Sequence, residues 1–227
     1  MMPPTDRPTV VLFDAYGTLL DVHAAMARHA ARLGPNWQEL SQQWRLKQLE
    51  YSWVRTLAGP AHHLDFARLT ADALGFVAAR HGIDDAELRA ALLAAYRRLD
   101  AYPEVPGMLA ALRAAGISRA ILSNGEPHML AEAVHAAGLD GLLDDVLSVE
   151  SVGLYKPDRR VYQMALDRFG GPAARIAFVS SNAWDAFGAH AFGFAVVWVN
   201  RSGQPDEYGL RGRVPELTDL AALPARL

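Results

Sequence analysis

Residues Thr9-Val10-Val11-Leu12-Phe13 form a β-branched, apolar run that stops at a single carboxylate, Asp14. The chain then turns away through Ala15-Tyr16-Gly17-Thr18-Leu19-Leu20-Asp21. A strand that is apolar on both alternating faces fits the interior of a sheet covered on both sides, the usual setting of a parallel sheet. Asp14 then stands at the carboxyl end of that strand, the edge where open α/β sheets bind ligands. Gly17 and Thr18 supply a turn able to direct backbone N–H groups toward a charge. A carboxylate so placed is a nucleophile, a metal ligand or a structural acceptor.

After Asp21 the periodicity is helical as far as Tyr96. The pattern predicts helices over 22–33, 37–57, 66–81 and 84–96, broken at Gly34-Pro35, Gly59-Pro60 and His81-Gly82. From Tyr102 the rhythm changes to alternating helix and strand. Helices are expected at 106–115, 127–137, 158–169 and 183–191, and strands at 117–122, 146–149, 176–179 and 195–199, with a last short helix over 217–223. The economical arrangement is an α/β fold: a doubly wound, mainly parallel sheet with an all-helical cap inserted after the first strand. Residues 1–20 and 98–227 would form the core domain and residues 21–97 the cap.

Composition narrows the chemistry. Of 227 residues, 51% are apolar, enough for a sizeable core, and there is no cysteine. Thiol nucleophiles, zinc–thiolate sites and a disulfide framework are therefore excluded. The start of the chain is polar and proline-rich, and no apolar segment approaches the roughly 20 residues a bilayer requires, so a cytoplasmic protein without a membrane partner is expected. A net charge of −3 with arginine spread throughout offers no basic block for nucleic acid. Among 22 basic residues only Lys47 and Lys156 are lysines. A chain so biased toward arginine keeps lysine where a compact ammonium is useful.

Residues at the strand ends form a coherent set: Asp14, then Ser123-Asn124-Gly125, Tyr155-Lys156-Pro157 and Ser180-Ser181-Asn182-Ala183-Trp184-Asp185. Two of the chain's four asparagines fall here. An ammonium near Asp14 would keep it ionised, as an attacking carboxylate must be. With the segment Trp44-Arg45-Leu46-Lys47-Gln48-Leu49-Glu50-Tyr51-Ser52-Trp53, these motifs resemble the (S)-2-haloacid dehalogenases of the haloacid dehalogenase superfamily. The resemblance runs from about Val10 to Val199, and the fold it implies agrees with the one read from periodicity.

Phosphatases of that superfamily carry a general-acid Asp two residues after the nucleophile and an Asp in the fourth motif that helps hold Mg²⁺. Here the corresponding positions are Tyr16 and Ser180-Ser181. A hard divalent cation wants several oxygen ligands and charge compensation. A tyrosine with a pKa near about 10 does not protonate an ester leaving group at neutral pH, whereas a departing halide needs no proton. The resemblance therefore implies a cofactor-free, metal-free hydrolase that converts short (S)-2-haloalkanoic acids to (R)-2-hydroxy acids and halide. Asp14 would attack C2 and form an ester. Lys156 would neutralise Asp14 and Asp185, and Thr18, Ser180, Asn182 and Asp185 would orient Asp14 and the hydrolytic water. Ser123 would bind the substrate carboxylate, Arg45 and Asn124 the leaving halide. Tyr16, Leu49, Phe66 and Trp184 would wall the alkyl side. Leu46 departs from relatives that carry Gln there. A homodimer is a further implication of the family.

Plainer readings compete at several positions. Arg45 on a helix is ordinarily solvated or paired with Glu39 or Glu50, and the near-helical spacing of Trp44, Leu49 and Trp53 favours packing within the cap over substrate contact. Lys156 could belong to a surface loop, and Asp158 reads as a helix start. The eight histidines show no i, i+4 pair with an acid and are taken as non-catalytic. A phosphatase is the competing enzyme, and a degenerate binding protein the competing non-enzyme.

Overall fold

The computed structural model describes residues 8–227; the stretch 1–7 lies outside the described residues. The first strand, β1 (Val10–Phe13), is buried along its whole length. Each such side chain removed from water contributes about 1.5–3 kcal/mol. The next elements are all helical: α1 (Ala24–Ala27), α2 (Ala30–Leu33), α3 (Trp37–Ala58), α4 (Phe66–His81) and α5 (Ala86–Tyr96). They form the helical cap. The chain leaves and re-enters the core through paired linkers: Leu20 bridges Ala101 antiparallel, Asp21 N–H donates to the Asp100 carbonyl (2.9 Å), and Tyr102 N–H donates to that of Leu19 (3.0 Å).

Core elements follow in alternation: α6 (Val105–Ala114), β2 (Ser118–Ser123), α7 (Pro127–Ala136), β3 (Asp145–Ser148), α8 (Arg159–Phe169), β4 (Ile176–Ser180), α9 (Ala183–Phe192), β5 (Ala195–Val199) and β6 (Glu216–Leu217). All pair in parallel, in the order β3-β2-β1-β4-β5-β6. The order reverses beside β1, so the loops after β1 and β4 diverge and open a crevice at Asp14. Among the described residues no helix is long and apolar enough to cross a membrane.

Helix starts are set by acidic caps: Asp65, Asp85, Glu126 and Asp158 each accept a backbone N–H from the first turn of the following helix. Asp158 is thus the helix start expected of it. Two other expectations are corrected. The helix over 22–33 is broken at Arg28-His29, where the His29 backbone leaves helical geometry (φ −113°, ψ 15°) and the Arg28 guanidinium turns to the returning linker. It donates to the Arg98 carbonyl and pairs with Asp100 (2.7 Å). The helix over 217–223 is instead β6 followed by a 3₁₀ turn at Leu223–Ala225. The open edge of β5 wins there: Trp198 N–H donates to the Pro215 carbonyl (2.9 Å) and Asn200 N–H to that of Leu217 (2.7 Å). Leu217, Leu220 and Leu223 are all buried, and their spacing of three imitates a helix.

Candidate active site

The crevice assembles around Asp14, which is 5% exposed. Its Oδ2 accepts two bonds, from Asn182 Nδ2 (2.7 Å) and Thr18 Oγ1 (3.1 Å), and its Oδ1 faces Lys156 Nζ (3.2 Å). The direction of the Thr18 bond is set locally. Ser181 N–H already donates to Thr18 Oγ1 (2.8 Å), so the hydroxyl proton is turned toward Asp14. Asn182 is the N-cap residue of α9 yet makes no side-chain cap. Its amide is spent instead on Asp14 and on the Tyr16 carbonyl (3.0 Å).

Lys156 is wholly buried, an environment that demands partners for its charge. It has two carboxylates, Asp14 and Asp185, the latter at 2.8 Å, and its ammonium stands 5.0 Å from the Phe178 ring centroid. Asp185 lies in the first turn of α9, where the helix dipole favours an anion. Its second oxygen accepts from Tyr162 Oη (2.8 Å), and Ser180 Oγ is 3.4 Å from the first. Complete burial pushes the Asp185 carboxyl up to about 6, with Lys156 pulling it down and Asp14 adding to the rise. The group has two carboxylates and one ammonium. Among the described residues no three His, Cys, Asp or Glu side chains converge as a metal-ligand set.

Arg45 reaches in from the cap. Its Nη2 is 3.4 Å from the Tyr16 carbonyl and its Nη1 3.4 Å from Gln48 Oε1. It does not pair with Glu39 or Glu50, which are engaged by Gln43 (3.0 Å) and Lys47 (2.7 Å). Tyr16 is packed between cap and core, its ring 5.6 Å from Tyr96 and 5.8 Å from Phe66. Burial holds its hydroxyl far above the usual tyrosine range, so it stays neutral. Gly125 makes room for that ring: a Cβ there would lie 2.9 Å from it and 2.8 Å from Leu130.

Ser123 is fully buried, its Oγ accepting from Gly125 N–H (3.1 Å). Asn124 Oδ1 accepts from Lys156 N–H (3.0 Å), which leaves the Asn124 amide NH₂ as a donor. Leu49 is buried one turn beyond Arg45 on α3. Trp184 stands apart from the hydrogen-bonded group. It meets Trp53 edge to face at 5.5 Å, and the pair lines a groove of about 500 Å³ with Leu57, Pro157, Phe187 and Tyr208.

Three residues of this neighbourhood escape sequence reasoning. Tyr162 sits beside Val161 on the buried face of α8 and reads as core. Gln48 and Tyr96 share a buried bond (3.1 Å) beside Arg45, but each alone looks like cap packing.

A profile of the haloacid dehalogenase-like hydrolases matches residues 8–193, and the chain belongs to that family. It is 48% identical over 217 residues to (S)-2-haloacid dehalogenase 1 of Pseudomonas sp. (strain CBS-3), covering 95% of each chain. Among solved structures it superposes on a dehalogenase with an intermediate complex, with a TM-score of 0.94, 44% identity and 98% of each chain covered. It also matches the L-2-haloacid dehalogenase of Xanthobacter autotrophicus with chloropropionic acid covalently bound, with a TM-score of 0.83, 34% identity and coverage of 96% and 97%.

Proposed function

We propose that this protein is a hydrolytic dehalogenase that converts short (S)-2-haloalkanoic acids to (R)-2-hydroxy acids and halide through an ester on Asp14. The observation that carries the reading is the buried Lys156 ammonium facing Asp14 Oδ1 while two neutral donors occupy Oδ2. That arrangement sets a cation beside the carboxylate and leaves Oδ1 with the fewer hydrogen bonds, free to attack. Oδ1 forms a bond to C2 as the carbon–halogen pair leaves with the halide, inverting the centre. Water then adds at the Asp14 carbonyl carbon, the ester C–O bond breaks, and one proton is released with the hydroxy acid.

The surrounding groups take their parts by position. Thr18 and Asn182 aim Asp14, while Ser180 and Asp185 hold Lys156 and the hydrolytic water in place. Ser123 and backbone N–H groups near Tyr16 receive the substrate carboxylate. The Arg45 guanidinium and the free donors of Asn124 receive the halide. Tyr16, Leu49, Phe66 and Trp184 exclude water from the alkyl side during the first step. Residues 21–97 serve as the cap domain over a core of 1–20 and 98–227, a division that the Leu20–Ala101 bridge supports. The reading extends to a cytoplasmic homodimer, which the exposed apolar side chains Leu46, Val54 and Leu57 of α3 favour.

No metal or other cofactor is needed by this chemistry, because Lys156 supplies the positive charge that two buried carboxylates require. A halide-release assay on (S)-2-chloropropionate should give the same rate with and without excess EDTA. Loss on chelation, restored by Mg²⁺, would replace this reading with a phosphatase-like one. Arg45→Lys keeps the charge but loses the planar fork that aims several N–H donors at once. We expect kcat to fall at least about tenfold, the equivalent of about 1.4 kcal/mol of transition-state stabilisation. Wild-type turnover by that variant would take Arg45 out of the site.

A further inference from the structure

Tyr155 immediately precedes Lys156 and is wholly buried, yet its contacts run to the cap. Its backbone N–H donates to Thr56 Oγ1 (3.0 Å) and its hydroxyl donates to the Leu64 carbonyl. Its ring lies 5.0 Å from that of His63 and 6.1 Å from that of Phe66. His63 Nε2 in turn meets Glu150 Oε2 at 2.9 Å, so the cap residues 56–66 clasp the core residues 150–155 at several points. Burial keeps the Tyr155 hydroxyl protonated and therefore a donor. On the other side, Lys156 N–H is held by Asn124 Oδ1.

We infer that Tyr155 is a positioning residue: by anchoring to Thr56 and Leu64, it makes the seating of the Lys156 ammonium against Asp14 and Asp185 depend on the docked cap. The inference rests on reading Lys156 as the charge partner of the nucleophile. The Lys156 backbone is fixed between two hydrogen bonds, one to the core through its own N–H and one to the cap through the N–H of its neighbour. The ammonium is already further from Asp14 (3.2 Å) than from Asp185 (2.8 Å). Release of the cap-side tether lets it retreat from both. Buried Asp185 then loses the partner that favours its charged form, and its protonation moves to higher pH.

The scarcity of lysine makes this measurable. With only Lys47 and Lys156 in the chain, protein labelled with ¹³C at the lysine ε-carbon gives two lysine signals, which Lys47→Arg assigns. Groups that bear on the Lys156 signal are Asp14 and Asp185 directly, with Tyr162 and Ser180 on Asp185. In Tyr155→Phe and in Thr56→Val we expect the Asp185 titration, read at the Lys156 signal, to move up by at least about 0.5 pH unit, with the Lys47 signal unmoved. Thr56→Ser, which keeps the acceptor, should titrate as wild type does. On (S)-2-chloropropionate, kcat should fall about five- to tenfold in the first two variants, with KM within about twofold of wild type. If Tyr155→Phe does not fold, Thr56→Val decides alone. An unmoved Asp185 titration at the Lys156 signal in the folded variants overturns the inference, whether or not the enzyme turns over haloacid. A shifted titration in a protein that releases no halide supports the coupling and removes the proposed function instead.

Discussion

Asp14→Asn is expected to lower halide release by at least about four orders of magnitude, about 5.4 kcal/mol of transition-state stabilisation. The amide has no anionic oxygen to form the ester, and whichever way it turns, an NH₂ group must face either Lys156 Nζ or the Asn182 and Thr18 donors. Lys156 keeps Asp185, so the fold should survive and the loss be chemical. A single wild-type turnover in ¹⁸O water, with enzyme in excess, tests the covalent step directly. The label should appear on the peptide containing Asp14 and be absent from the first hydroxy acid formed. Label in that product and none on Asp14 would make a positioned water the nucleophile and Asp14 its general base.

Lys156→Met should be nearly as damaging to turnover and much more so to stability. Methionine fills the space of the lysine stem but leaves Asp14 and Asp185 buried without their cation. Breaking a buried ion pair on one side costs about 3–5 kcal/mol, a large part of the usual 5–15 kcal/mol of a domain. The sign of the pH dependence follows. The folded-state pKa of Asp185 is already raised to about 6 by burial, and without Lys156 it rises further. The unfolded value is about 3.9. The penalty is complete above the folded pKa and fades as acid neutralises the carboxylates. Urea midpoints of variant and wild type should therefore converge as the pH is lowered from above 6 toward about 4. A gap that does not change with pH would assign the loss to packing instead of charge.

What could be read in the chain divides along physical lines. Strands buried on both faces are apolar runs, continuous in β1, β4 and β5 and reduced in β2 to Ala120-Ile121-Leu122 after Ser118-Arg119, so these four were visible, and the polar residues that end them mark one edge of the sheet. Asp14, Lys156 and the loop 180–185 stood out for that reason, while the parts given to Thr18, Asn182 and Asp185 came from the family resemblance. The two-residue β6 was not, since its existence depends on the free edge of β5 and not on any local pattern. The break at Arg28-His29 likewise has no Gly or Pro to announce it. Tyr162 and Tyr96 hide in helical apolar faces, and only the fold shows which of their hydroxyls meets a charged or polar partner. Ser180 was found by its motif, although its contacts are with Asp185 and Asn182 and not with Asp14.

The uncapped start of α9 bears on how far this protein can be stabilised. Serine, aspartate or asparagine in its capping role at a helix start contributes typically about 1 kcal/mol, and four other helices of the chain draw on that contribution through Asp65, Asp85, Glu126 and Asp158. At position 182 the side chain is turned from its helix to the nucleophile. Aspartate there would suit the helix and set a second anion beside Asp14; serine would be too short to reach both Asp14 and the Tyr16 carbonyl. The helix thus forgoes about 1 kcal/mol of capping at this one amide because the buried carboxylate of Asp14 needs the donor more, so fold and site both hold Asn182 away from the capping role.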